Sequence, residues 1–138
     1  MLRRALALAV AGAATAGPAS QGLGTLPAWP RTPRTVIVRA VDVSTTRYRF
    51  VPADVRVQLG DTVRWLQTAT TPHNVEFKQI PSGANLGSQR VGPYLVAPGQ
   101  TYQLVVDGRF AEGVYRYVCT PHAASGMVGT ITVAGSSN

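Results

Sequence analysis

The sequence predicts an all-β fold, a β-sandwich of about seven to eight short strands. Three observations carry the prediction. Apolar and polar residues alternate with period two in one segment after another. Turns built on Gly and Pro separate those segments. No stretch keeps a 3.6-residue apolar period over three turns. Alternation of this kind marks strands with one face buried, and many such strands between turns mark a two-sheet domain.

The elements follow in order. Residues 35–43 are rich in β-branched side chains, which suit a pleated surface. Residues 54–59 set Val55, Val57 and Leu59 against Arg56 and Gln58. Leu59-Gly60-Asp61-Thr62 is a turn, and residues 62–67 then place Val63 and Trp65 opposite Arg64. Residues 73–78 alternate His73, Val75 and Phe77 with Asn74, Glu76 and Lys78. The stretch 81–98 is irregular, with room for one short helix. Residues 101–106 put Tyr102, Leu104 and Val106 on one face. Residues 113–119 put Tyr115, Tyr117 and Cys119 opposite Arg116, and residues 127–133 align Met127, Gly129, Ile131 and Val133.

The ends are of another kind. Met1-Leu2-Arg3-Arg4 is a basic start, Ala5 opens a run of small apolar residues, and Ala14-Thr15-Ala16 forms an A-x-A cleavage pattern. Residues 1–16 therefore read as a secretory signal peptide. The run falls short of the roughly 20 apolar residues that span a bilayer. Residues 17–33 hold Pro18, Pro27, Pro30 and Pro33 among Gly, Ser and Gln, the composition of a linker or tail. The folded domain is expected over residues 34–134, with 135–138 a flexible C-terminus.

The chain has 138 residues, which allows one ordinary domain. Its formal charge is +7, and every basic residue but Lys78 is arginine. Loss of residues 1–16 removes Arg3 and Arg4 and leaves eleven basic against six acidic residues, or +5. A basic chain invites a nucleic-acid reading, which needs a clustered patch with aromatic platforms. Here Arg39, Arg56, Arg64, Arg90, Arg109 and Arg116 are scattered singly, as on solvated strand faces. Two histidines and one cysteine exclude a His-rich multinuclear metal enzyme and any disulfide within the chain.

The same scarcity points to a site. His73, Cys119 and Met127 fall on faces assigned to the core, and His122 lies in the loop Cys119-Thr120-Pro121-His122-Ala123-Ala124-Ser125-Gly126-Met127. Apart from Met1, these are all the Cys, His and Met of the chain. Two imidazoles, a thiolate and a thioether form a soft donor set, and a His₂Cys plane with a weak axial Met is a blue-copper electron-transfer arrangement. Singly, each residue has a plainer reading, as buried hydrophobe, structural histidine or core filler. None of these explains a free thiol beside Pro-His in a Gly-closed loop of an exported chain.

The loop C-T-P-H-A-A-S-G-M resembles the copper loop of plastocyanins, pseudoazurins and halocyanins, all small cupredoxins. Pro72-His73-Asn74-Val75-Glu76-Phe77 resembles the segment that holds their first histidine. Phe50-Val51-Pro52-Ala53 through Gly60-Asp61-Thr62-Val63-Arg64-Trp65 resembles their early strands, so the likeness covers roughly residues 34–134. Val118 departs from the aromatic that many plastocyanins carry before the cysteine, and the acidic patches of the plant proteins are missing.

The resemblance implies a cupredoxin-like Greek-key β-sandwich and one copper ion cycling between Cu(I) and Cu(II). It implies His73, Cys119, His122 and Met127 as ligands, and Asn74 as the residue that ties the two ligand loops together. It also implies electron crossing at His122, inside an apolar patch of Pro72, Pro121, Ala123 and Ala124. The protein is then a one-electron carrier and no enzyme, since oxidases and nitrite reductases need histidines beyond these two. The other readings are a copper carrier or storage domain, a structural zinc site, and a Cys/His nucleophile pair. The expected partners are redox proteins, a cytochrome or a membrane redox complex of acidic character. Neither nucleic acid nor a membrane span is expected. The protein is expected to be a monomer in the periplasm or on an extracytoplasmic surface.

Overall fold

The computed structural model describes residues 31–135. The expected signal peptide, residues 17–30 of the linker and residues 136–138 lie outside the described residues. Eight strands are present: β1 (Thr35–Ser44), β2 (Arg47–Val51), β3 (Asp54–Gln58), β4 (Thr62–Gln67), β5 (Glu76–Gln79), β6 (Thr101–Val105), β7 (Gly113–Val118) and β8 (Val128–Ala134). Short 3₁₀ helices occupy Gly87–Arg90 and Thr120–Ser125. The first is the short helix expected in the irregular stretch. The second lies within the loop that carries His122, where no helix was expected.

The strands form two four-stranded sheets, ordered β2-β1-β4-β6 and β3-β8-β7-β5. The chain changes sheet after β2, β3, β4, β5 and β6, the Greek-key way of closing a sandwich. Those crossings make β1 parallel to β4 and β3 parallel to β8, while the other pairs are antiparallel.

Alternation decides what lies between the sheets. Val38 and Ala40 of β1, Val63 and Trp65 of β4, Tyr115 and Tyr117 of β7, and Ile131 and Val133 of β8 are buried. Trp65 stacks on Tyr102 at 5.5 Å between ring centroids and meets Tyr117 edge-on at 5.4 Å. Such pairs add about 0.5–1.5 kcal/mol each beyond the area they bury. Gly129 of β8 lies directly opposite Tyr117 of β7, and a Cβ there would sit 2.4 Å from the Tyr117 hydroxyl oxygen. The absent side chain makes room for the ring.

The structure corrects the expected strands at Leu59, at residues 47–51 and at residues 73–75. Leu59 is 50% exposed, because β3 ends at Gln58 and the chain turns there. Residues 47–51 form a strand that the alternation did not single out. Residues 73–75 are not in a strand: β5 starts at Glu76, and His73 instead makes an isolated bridge with Leu95.

Candidate metal centre

His73 is set by long-range contacts. Its N–H donates to the Leu95 carbonyl at 3.1 Å, and the Leu95 N–H donates back at 2.7 Å. Gln67, at the end of β4, supports both sides of this bridge. Its buried amide Nε2 donates to the carbonyls of Thr71 (2.6 Å) and Leu95 (3.1 Å). The ring is 1% exposed, and its Nε2 lies 2.9 Å from Oδ1 of Asp42.

The other donors come from one local loop. Cys119 follows β7, and its N–H donates to the Met127 carbonyl at 3.0 Å. The Met127 N–H donates to the His122 carbonyl at 3.1 Å, and the His122 N–H to the Cys119 carbonyl at 3.0 Å. The loop thus closes on itself before β8 begins. Pro121 suits the first turn of the short helix, where an N–H would have no partner. Gly126 ends that helix at φ +81°, the left-handed conformation glycine adopts at least cost. Cys119 and Met127 are both fully buried, and His122 is half-buried.

The donor atoms converge. His73 Nδ1 and His122 Nδ1 are 3.1 Å apart, and Cys119 Sγ is 3.6 Å from the first and 3.3 Å from the second. All three lie within 4.8 Å of one another. Atoms so spaced share a point about 2 Å from each, the length of a metal–imidazole bond. Met127, tied by its backbone to both Cys119 and His122, lies beside them. Nitrogen, thiolate and thioether donors suit copper.

Burial shapes the electrostatics. Desolvation pushes the Cys119 thiol up, although the backbone N–H groups of Asn74 and His122 pull the other way. A buried thiol of this kind is a poor free nucleophile, which argues against the Cys/His nucleophile reading. Desolvation and the nearby His73 hold His122 below the ordinary histidine range. Both effects keep the imidazole lone pair available to a metal.

Asn74, expected on an outward face, is buried because it bridges the two ligand segments. Its Oδ1 accepts from the Thr120 N–H at 2.7 Å, and its Nδ2 donates to Thr120 Oγ1 at 2.9 Å. Thr120 Oγ1 donates in turn to Glu76 at 2.9 Å. These hydrogen bonds join the segment holding His73 to the one holding Cys119.

Sequence reasoning missed Asp42, Tyr48, Gln67 and Thr71. Asp42 touches His73 and Thr71, and Tyr48 stacks on His122 with ring centroids 3.9 Å apart. No spacing in the sequence links them to the ligand loop. Only the β1–β2 and β1–β4 pairings bring them there.

Comparison with known proteins agrees with this site. Residues 37–134 match the family model described as copper binding proteins, plastocyanin/azurin family. The chain is 43% identical over 86 residues to plastocyanin of Scenedesmus fuscus, covering 61% of this chain and 85% of that protein. It is 42% identical to the chloroplastic plastocyanin of Chlamydomonas reinhardtii, but spans 57% of that protein's length. Among solved structures, pseudoazurin from Methylobacterium extorquens AM1 is similar with a TM-score of 0.53 at 30% identity, over 72% of this chain and 75% of that one. An amicyanin variant in its reduced Cu(I) form is similar with a TM-score of 0.53 at 26% identity, over 72% and 82%. With a cupredoxin sandwich, a converged His, Cys, His donor set and a family match across nearly the whole described domain, the chain belongs to the plastocyanin/azurin family of copper binding proteins.

Proposed function

We propose that His73, Cys119, His122 and Met127 hold one copper ion and that the protein is a mononuclear type 1 copper one-electron carrier. The observation that carries this reading is the convergence of His73 Nδ1, His122 Nδ1 and Cys119 Sγ within 4.8 Å of one another. When bound, copper supplies a reversible one-electron couple and an intense thiolate charge-transfer colour. The chain supplies the rest. Asn74 and the Thr120 loop hold the donors where they are, so little has to move between oxidation states. The sandwich buries Cys119, Met127 and His73 away from water, while His122 alone of the four reaches toward solvent. Electrons therefore cross at His122, beside the exposed Pro72, Pro121 and Ala124. Burial of three donors disfavours a carrier or storage role, which needs ligands that a second protein can reach.

The partner in this reading is an acidic redox protein, a cytochrome or a membrane redox complex. Arg47 and Arg49 flank Tyr48 and are exposed, which puts positive charge near the His122 end. Residues 1–16 would direct export to the periplasm or an extracytoplasmic surface. Among the described residues, no helix is long and apolar enough to cross a membrane. N-terminal sequencing of the exported protein should begin at Gly17.

The decisive test is reconstitution with Cu(II). The wild type should turn intensely coloured and bleach on reduction, and Cys119→Ser should bind copper weakly without that colour. A Cys119→Ser protein that stays blue would overturn the assignment, and colourless zinc binding without a coloured copper form would favour a structural site.

A further inference from the structure

We propose that the cross-strand pair Asp42–Tyr48 presets both imidazoles for copper, Asp42 by fixing the tautomer of His73 and Tyr48 by fixing the ring plane of His122. The proposal rests on the copper reading above and assigns a role to a hairpin that contributes no ligand. Asp42 of β1 and Tyr48 of β2 are directly opposite each other in the antiparallel register. The pairing shifts just beyond them, between Asp42 and Ser44. Such irregularities bend a strand end and re-aim its side chains.

Each half of the pair is itself anchored. The Asp42 Oδ2 atom accepts from the Thr71 hydroxyl at 2.7 Å and from the Thr71 N–H at 3.3 Å. Asp42 Oδ1 lies 2.9 Å from His73 Nε2. One carboxylate thereby grips both the ring and the backbone of the segment that carries the histidine. A carboxylate only accepts hydrogen bonds, so Nε2 carries the proton and donates. A neutral imidazole has one N–H, which leaves Nδ1 as a bare lone pair. That Nδ1 is the atom 3.1 Å from His122 Nδ1 and 3.6 Å from Cys119 Sγ. The Tyr48 hydroxyl donates to the Thr45 carbonyl at 2.7 Å, which pins its ring. That ring stacks on His122 at a centroid distance of 3.9 Å and an interplanar angle of 29°, and it meets His73 edge-on at 5.7 Å.

The charge has a direct consequence. A carboxylate on the far nitrogen makes the imidazole a stronger donor and favours the more highly charged metal ion. Asp42→Asn keeps the size and an acceptor oxygen but removes the charge. It should weaken Cu(II) binding about tenfold or more, with a smaller effect on Cu(I). Each tenfold confined to Cu(II) raises the reduction potential by about 59 mV.

The experiment has two arms. Nitrogen-15 spectra of metal-free wild type should show His73 protonated on Nε2, and Tyr48→Leu should broaden the His122 ring signals while leaving those of His73 sharp. Voltammetry of the copper-loaded proteins should show a higher potential in Asp42→Asn than in wild type. A His73 protonated on Nδ1, a sharp His122 in Tyr48→Leu, or an unchanged potential in a folded, coloured Asp42→Asn would overturn the proposal. A wild type without the coloured form would instead sink the copper reading, and the metal-free spectra would still decide the clamp.

Discussion

Met127 is fully buried and bonded through its backbone to Cys119 and His122. A weak axial thioether favours Cu(I), whereas an amide oxygen favours Cu(II). Met127→Gln should stay coloured with a lower potential, each tenfold change in the affinity ratio being about 59 mV. Voltammetry checks this, and an unchanged potential would remove Met127 from the axial role. Asn74 acts at the same scale by a different route. Its side chain makes two hydrogen bonds to Thr120. Asn74→Ala strands the Thr120 N–H and should cost about 1–3 kcal/mol of stability. Urea titration measures that loss, and a change within error would show that water satisfies Thr120.

At the scale of elements, the β7–β8 hairpin does most to assemble the site, and two glycines in it act for different reasons. Gly126 is at φ +81° with open space where a Cβ would go, so its constraint is the backbone conformation alone. Gly126→Ala should cost about 1–2 kcal/mol. Gly129 is crowded: an added Cβ would sit 2.4 Å from the Tyr117 hydroxyl and 2.8 Å from the Ala53 carbonyl oxygen. The backbone oxygen cannot swing away as a side chain can. Gly129→Ala should therefore cost about 3 kcal/mol or more, at the upper end of overpacking penalties. Thermal denaturation of the two variants should rank Gly129→Ala clearly below Gly126→Ala. The reverse order would mean that Tyr117 repacks freely.

For the molecule as a whole, Asp61 ties the first described residues to the β3–β4 turn. It is 0% exposed and accepts from the N–H groups of Arg34 and Gln58 and from the Arg31 guanidinium. Desolvation pushes its carboxyl up, but those donors outweigh it and hold the carboxyl below the usual range. A carboxyl lowered in the folded state contributes stability above its unfolded pKa of about 3.9, and this stability is lost as pH falls through the folded value. Acid should therefore destabilise the wild type more than Asp61→Asn, which starts lower and lacks this titration. Parallel acid dependences would show that Asp61 is not a contributor. Net charge acts at the same scale. A basic carrier should meet an acidic redox partner faster at low salt, because screening sets in over about 10 Å at 0.1 M. Stopped-flow rates that stay flat across ionic strength would mean that the arginines do not steer encounter.

The sequence by itself determined what is local. Period-two alternation shows which faces of β4, β7 and β8 turn inward, since a strand alternates whatever its neighbours are. Cys119, His122 and Met127 were legible for the same reason: one short loop closes through its own hydrogen bonds and glycine cap. Only the tertiary structure decided the rest. The bridge that seats His73 runs to Leu95, in a stretch without period, and Asn74 is buried against Thr120, a neighbour in space but distant in sequence. Asp42 and Tyr48 reach the histidines through strand register, which depends on how whole strands pair and how the two sheets close over one another. Residues far apart in sequence meet only when the chain pays the entropy of folding once for all of these contacts together, so no local pattern could have marked Asp42 and Tyr48.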